Sequence, residues 1–151
     1  MYLISACLVG INCRYNGTNT LDQKLIELME EGKAIAVCPE LIGKLPIPRE
    51  PCEIIITKDG KQKIVSQSGE DYTYEYLEGA KKTLEICRVI GIEKVILQSR
   101  SPSCGYGKIY DGTFSSKLIE GNGLTAGILS KNGLKVFNEE NWKLNTSDIT
   151  I

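Results

Sequence analysis

The chain of 151 residues contains no histidine. That absence removes Ser–His and Cys–His nucleophile pairs, histidine-ligated zinc and the usual general base near neutral pH. Acid–base chemistry falls to Asp, Glu, Lys, Tyr or Cys, and a soft-metal site has to be built from thiolates. No apolar run approaches the ~20 residues of a membrane span, so no membrane partner is expected. The chain opens directly on strand-like Tyr2-Leu3-Ile4 without a basic leader, which predicts a cytoplasmic location. A net charge of -1 provides no field to attract nucleic acid, and none is expected as a partner. No Gly-x-Gly-x-x-Gly follows the first apolar run. Gly10-Ile11-Asn12-Cys13 stands there instead, which weakens a nucleotide-binding module with incidental cysteines. Repeats, low-complexity tracts and close C-x₂₋₄-C pairs are also missing.

What is present fits an α/β fold. With 42% hydrophobic and 25% charged residues, a single domain over residues 1–151 is expected. β-Branched runs at Tyr2–Ala6, Ala34–Val37, Lys94–Leu97 and Lys135–Phe137 read as strands of a mostly parallel central sheet. Helical spacing of apolar residues predicts flanking helices over about residues 21–31, 72–90 and 124–130. Leu21, Leu25, Leu28 and Met29 form one face of the first. Leu77, Ala80, Leu84 and Cys87 form the core stripe of the second, with Gly91 at its C-cap. Ile54–Thr57 and Lys63–Ser66, joined across Asp59-Gly60, predict a small β-hairpin. Pro46, Pro48 and Pro51 exclude regular structure around them, and residues 101–112 read as a glycine-rich loop. The tail at 139–151 is polar apart from Trp142 and is expected to pack loosely.

In a reducing compartment six cysteines argue for thiol chemistry rather than disulfides. Cys7, Cys38 and Cys104 each follow an apolar run and sit in a turn stiffened by Pro or Gly. Ligands of α/β sheets bind beyond the carboxyl ends of the strands. Thiolates from three strands therefore converge there on a metal or cluster site. Zinc usually takes close cysteine pairs, so scattered single cysteines fit a cofactor seated in a cleft better. Cys13 is either a fourth ligand or a bystander beside the site. Cys87, on a helix core stripe, reads as a small hydrophobe, and Cys52 reads as structural.

The residues around these thiols carry chemistry of their own. Ser101-Pro102-Ser103-Cys104-Gly105-Tyr106-Gly107 offers two hydroxyls and exposed backbone N–H groups suited to sulfide or a small polar substrate. Ser103, Gly105, Lys108 and Asn12 are the expected substrate-binding positions. Cys38-Pro39-Glu40 puts a carboxylate two residues from a thiolate, where it can face the same cavity and transfer protons.

Longer motifs occur in a fixed order. They are Ser5-Ala6-Cys7-Leu8-Val9-Gly10, Cys13-Arg14-Tyr15-Asn16-Gly17, Cys38-Pro39-Glu40 and Pro48-Arg49-Glu50-Pro51. Ser99-Arg100-Ser101-Pro102-Ser103-Cys104-Gly105, Ile109-Tyr110-Asp111-Gly112-Thr113-Phe114 and Gly123-Leu124-Thr125-Ala126 follow. Together, over residues 3–138, they closely resemble the former domain-of-unknown-function family 523, whose characterised members are thiouracil desulfidases. The resemblance implies a 4Fe–4S cluster held by three cysteines, here Cys7, Cys38 and Cys104, with one iron open. Glu40 and Ser101 resemble the family's catalytic pair. The position of Cys13 is often not cysteine in relatives, which favours the bystander, and Asn16 stands where relatives commonly carry Asp. The implied activity is non-redox hydrolysis of a carbon–sulfur bond in a small thiolated nucleobase. The open iron takes the thiocarbonyl sulfur, Glu40 with Ser101 handles protons, and hydrosulfide and an oxo product such as uracil leave. A sulfur or iron–sulfur carrier without turnover is the other class that such a site allows.

Overall fold

The computed structural model describes residues 1–143. Its first half runs β1 (Tyr2–Ser5), a 3₁₀ turn (Ala6–Val9), α1 (Gln23–Glu30), β2 (Ala34–Val37), α2 (Pro39–Ile42), β3 (Cys52–Ile56) and β4 (Gln62–Ser66). Its second half runs α3 (Thr73–Ile90), β5 (Lys94–Leu97), β6 (Lys108–Tyr110), β7 (Leu118–Glu120), α4 (Leu124–Lys131) and β8 (Lys135–Asn138). Four strands form one parallel sheet in the order β2-β1-β5-β8, the mostly parallel α/β arrangement expected from the alternating pattern. Leu3 pairs with Ile35 on one side and Val95 on the other, and Ile4 with Ala36 and Ile96.

That register sorts the side chains by face, because successive residues of a strand point opposite ways. Leu3, Val95 and Leu97 bury against Leu84 and Cys87 of α3 and Ala126 and Leu129 of α4. Ile4 and Ile96 bury on the other face with Leu8 and with Leu25 of α1. Each fully buried Leu or Ile contributes about 1.5–3 kcal/mol relative to exposure. From β1 the chain passes through α1 to β2 at one side, and later returns through α3 to β5 at the other. The order therefore reverses between β1 and β5, and their carboxyl ends border the crevice where such sheets place a ligand.

Two glycines fix how α2 meets α3. A Cβ on Gly43 would collide with the Glu75 carbonyl, and one on Gly79 with the Pro39 carbonyl. Backbone lies directly on backbone there, so the single turn of α2, with Cys38 as its N-cap residue, is held rigidly. The stripe Tyr76, Gly79, Ala80, Thr83, Leu84 and Cys87 buries the rest of α3, which ends at Gly91 in the left-handed region with its N–H on the Cys87 carbonyl.

Some expectations need correction. Leu21 is 51% exposed because α1 starts only after its N-cap Asp22, leaving Leu21 outside the helix. The glycine-rich loop runs into a second hairpin, with β6 inside it and β7 beyond its expected end, and these three-residue strands are too short to leave a periodic signal. The tail begins packed, since Trp142 is 7% exposed on the α1 face of the sheet. The rest of that tail, 144–151, lies outside the described residues. No helix among the described residues is long and apolar enough to cross a membrane.

Candidate active site

Three strand ends deliver three thiols. Cys7 follows β1 in the 3₁₀ turn, which closes at Gly10 with φ +93° and its N–H on the Ala6 carbonyl. Cys38 follows β2, and Cys104 follows β5 through the turn at Ser101–Cys104. All three are free thiols lining one cavity of about 510 Å³. Among the described residues, no three Cys, Asp or Glu side chains close on one point as ligands of a single ion would. Three thiols on one cavity are a donor set of the kind that holds an iron–sulfur cluster, in which each thiolate takes its own iron.

The local fields differ from thiol to thiol. Cys38 is lowered to about 7, mainly by hydrogen bonding from Cys13, with help from the Leu41 N–H and the charge of Arg49. Cys7 is also lowered, chiefly by Cys13. Cys13, buried between these two and lining the same cavity, is raised by both and ionises after them. Burial pushes Cys104 up to about 12, and the charges of Cys38 and Cys7 push the same way. A protein cation or metal is needed to hold Cys104 as a thiolate. Cys52 also lines the cavity, and burial raises its thiol. Cys87 lies in the core and does not line the cavity.

Beside the thiols runs a line of polar side chains. Ser101 Oγ accepts hydrogen bonds from the N–H groups of Ser103 and Cys104, both at 3.0 Å, and donates to Glu40 Oε1 at 3.4 Å. The other Glu40 oxygen pairs with Arg49 Nη2, and the Arg49 side chain is only 4% exposed. Gln98 organises the neighbouring corner. Its N–H donates to Ser5 Oγ at 2.9 Å, and its Oε1 accepts from Cys7 and Thr20. Glu53, 8% exposed, accepts from the N–H groups of Gly112 and Phe114. It thereby holds Phe114, which lines the cavity with Tyr15 and Tyr110.

Of the residues expected from sequence, Cys7, Cys38, Cys104, Glu40 and Ser101 meet at this cavity. The expected substrate-binding residues do not line it. Ser103 is fully buried, and its hydroxyl pairs with Thr125 Oγ1 at 2.8 Å and accepts from the Cys104 thiol at 3.9 Å, so it supports the cavity from behind. Gly105 is wedged where a Cβ would strike the Ser101 carbonyl, so its role is close packing. Lys108 is exposed on β6, and Asn12 is an exposed turn residue accepting from Asn19 Nδ2 at 2.7 Å. Asn16 likewise caps its own turn through Thr18, away from the cavity. Sequence reading missed Arg49 and Gln98 as site residues. Arg49 was visible only as part of Pro48-Arg49-Glu50-Pro51, with nothing local to name its partner.

A model of the 2-thiouracil desulfurase family matches residues 2–141. The Bacillus subtilis (strain 168) protein YbbK, described as uncharacterized, is 49% identical over 144 residues, covering 92% of this chain and 95% of that protein. Among solved structures, the [4Fe-4S]-dependent thiouracil desulfidase TudS superposes with a TM-score of 0.88 at 37% identity. That match covers 98% of this chain and 96% of TudS. The motifs, the parallel sheet with its strand-end thiols and these matches agree: the chain belongs to the 2-thiouracil desulfurase family.

Proposed function

We propose that this protein is a [4Fe–4S]-dependent desulfidase that hydrolyses a carbon–sulfur bond in a small thiolated nucleobase such as 2-thiouracil. Cys7, Cys38 and Cys104 are its cluster ligands, and Glu40 and Ser101 its catalytic residues. The observation that supports this reading most is the shared cavity, because three strand-end thiols and the Ser101–Glu40 pair open onto one space of about 510 Å³.

When bound, the cluster supplies a soft Lewis-acidic iron that favours sulfur over oxygen and draws electron density from a thiocarbonyl carbon. The chain supplies the rest. Glu40, ion-paired with Arg49 and open to the cavity, is placed to take a proton from an attacking water. Ser101 has its lone pairs engaged by two backbone N–H groups, which leaves its own proton directed at Glu40. Tyr110 and Phe114 offer flat walls to a pyrimidine ring. The water oxygen bonds to carbon as Glu40 takes one of its protons, and the C–S bond breaks with its electron pair on sulfur. The second proton of the water leaves on that sulfur as hydrosulfide, while Glu40 returns the first to solvent. No electron is gained or lost.

Protein reconstituted with iron and sulfide under anaerobic conditions should convert excess 2-thiouracil to uracil and hydrosulfide over many turnovers, with no protein acceptor. Release of one sulfur per chain and no more would make it a carrier. No release from cluster-loaded protein would overturn the reading.

A further inference from the structure

We infer that Arg49 is a positioning residue that locks the Glu40 carboxylate into one pose for proton transfer, an inference that rests on the function proposed above. Glu40 lines the cavity and Arg49 does not, so Arg49 stands behind the carboxylate, out of reach of a substrate. Its guanidinium is a fork. Nη2 pairs with Glu40 Oε2, while Nη1 donates to the Pro46 carbonyl at 3.1 Å. The backbone of Arg49 is tied down as well, its N–H donating to the Tyr15 carbonyl at 2.7 Å.

Burying such a charge is costly unless it is paired, and neither Arg49 Nε nor Nη2 makes a hydrogen bond among the described residues, which leaves the ion pair of Nη2 with Glu40 to offset the buried charge. The Glu40 pair is therefore the main compensation for that burial. Ser101 holds Oε1 and Arg49 holds Oε2, so both carboxylate oxygens are fixed from different directions. A glutamate without these ties would sample several rotamers. A reacting group displaced by about 1 Å can lose about 10²-fold in rate. Lysine can keep the charge, but it lacks the fork that reaches Pro46 and Glu40 at once.

Another role for Arg49 has to be separated from this one, since its charge also lowers Cys38 and Cys52. The test uses Arg49→Gln, Arg49→Lys, Glu40→Gln and the double variant Glu40→Gln/Arg49→Gln, all reconstituted anaerobically beside the wild type. Iron and acid-labile sulfide per chain, KM and kcat for 2-thiouracil, and the urea midpoint are measured for each. Arg49→Gln should keep wild-type iron content and KM while kcat falls about 10²-fold. Arg49→Lys should recover part of that loss. In the Glu40→Gln background, Arg49→Gln should cost no further kcat, and the urea midpoints should be non-additive in the same way.

Full kcat in Arg49→Gln would overturn the inference, as would losses that multiply in the double variant. Loss of iron in both Arg49→Gln and Arg49→Lys would also overturn it, by assigning Arg49 to the thiolates. A cluster-loaded wild type that is inert towards 2-thiouracil is a distinct result, which removes the proposed function and the positioning role with it.

Discussion

Cys87 and Cys104 bury against the same face of the sheet, in the cluster that joins β5 to α3 and α4. Burial raises both thiols, to about 11 for Cys87 and about 12 for Cys104. By burial alone the two are equivalent, and their surroundings separate them. Desolvation is the only cause acting on Cys87. Cys104 hangs from a turn whose N–H groups Ser101 collects, feels the charges of Cys7 and Cys38, and opens onto the cavity. A buried thiol becomes a site when the topology brings other thiols and a proton carrier to the same strand ends.

The contrast breaks most sharply under paired substitution. Cys104→Ser should abolish both cluster assembly and turnover, whereas Cys87→Ala should keep both and cost about 1 kcal/mol of stability. Iron content and urea denaturation of the two variants side by side check this, and iron loss in Cys87→Ala would collapse the distinction. Glu40→Gln is the next largest effect. It should leave iron and sulfide intact while kcat falls about 10²–10⁴-fold, as for a lost general base. Gly79→Ala sharpens the comparison from a distance. A helix-interior Gly→Ala change gains up to about 1 kcal/mol in propensity. Here the new Cβ meets backbone at Pro39, which cannot swing away as a side chain could. Overpacking of this kind costs about 1–3 kcal/mol, so the net change is destabilising. Because α2 carries Cys38 and Glu40, kcat should fall as well. A more stable Gly79→Ala variant with full activity would show that the α2–α3 contact does not set the site.

Much of this was legible locally. β2 and β5 match their apolar runs residue for residue, and the end of α3 was marked by Gly91. α2 was not, because it is one turn long and starts at Pro39, leaving no periodicity to read. The same limit governs the site. The convergence of Cys7, Cys38 and Cys104 on one cavity was readable because a strand end predicts where its next residue goes. Ser103 and Gly105 do not line the cavity, because nearness to Cys104 in sequence says nothing about direction. Within one turn Ser101 faces Glu40, while Ser103 reaches Thr125 and the Cys104 thiol from behind. Arg49 escaped notice because its ion pair bridges two segments that no local pattern connects.

The most direct test of the three-thiolate site compares Cys7→Ser with Cys13→Ser. Both residues line the cavity and both are buried, at 7% and 2% exposure. After identical anaerobic reconstitution, iron and acid-labile sulfide per chain are measured in each. The account predicts that Cys7→Ser loses the cluster, while Cys13→Ser retains about the four irons and four sulfides of a [4Fe–4S] centre. Equal losses in the two variants would make Cys13 a fourth ligand, leave no open iron for sulfur, and contradict the account.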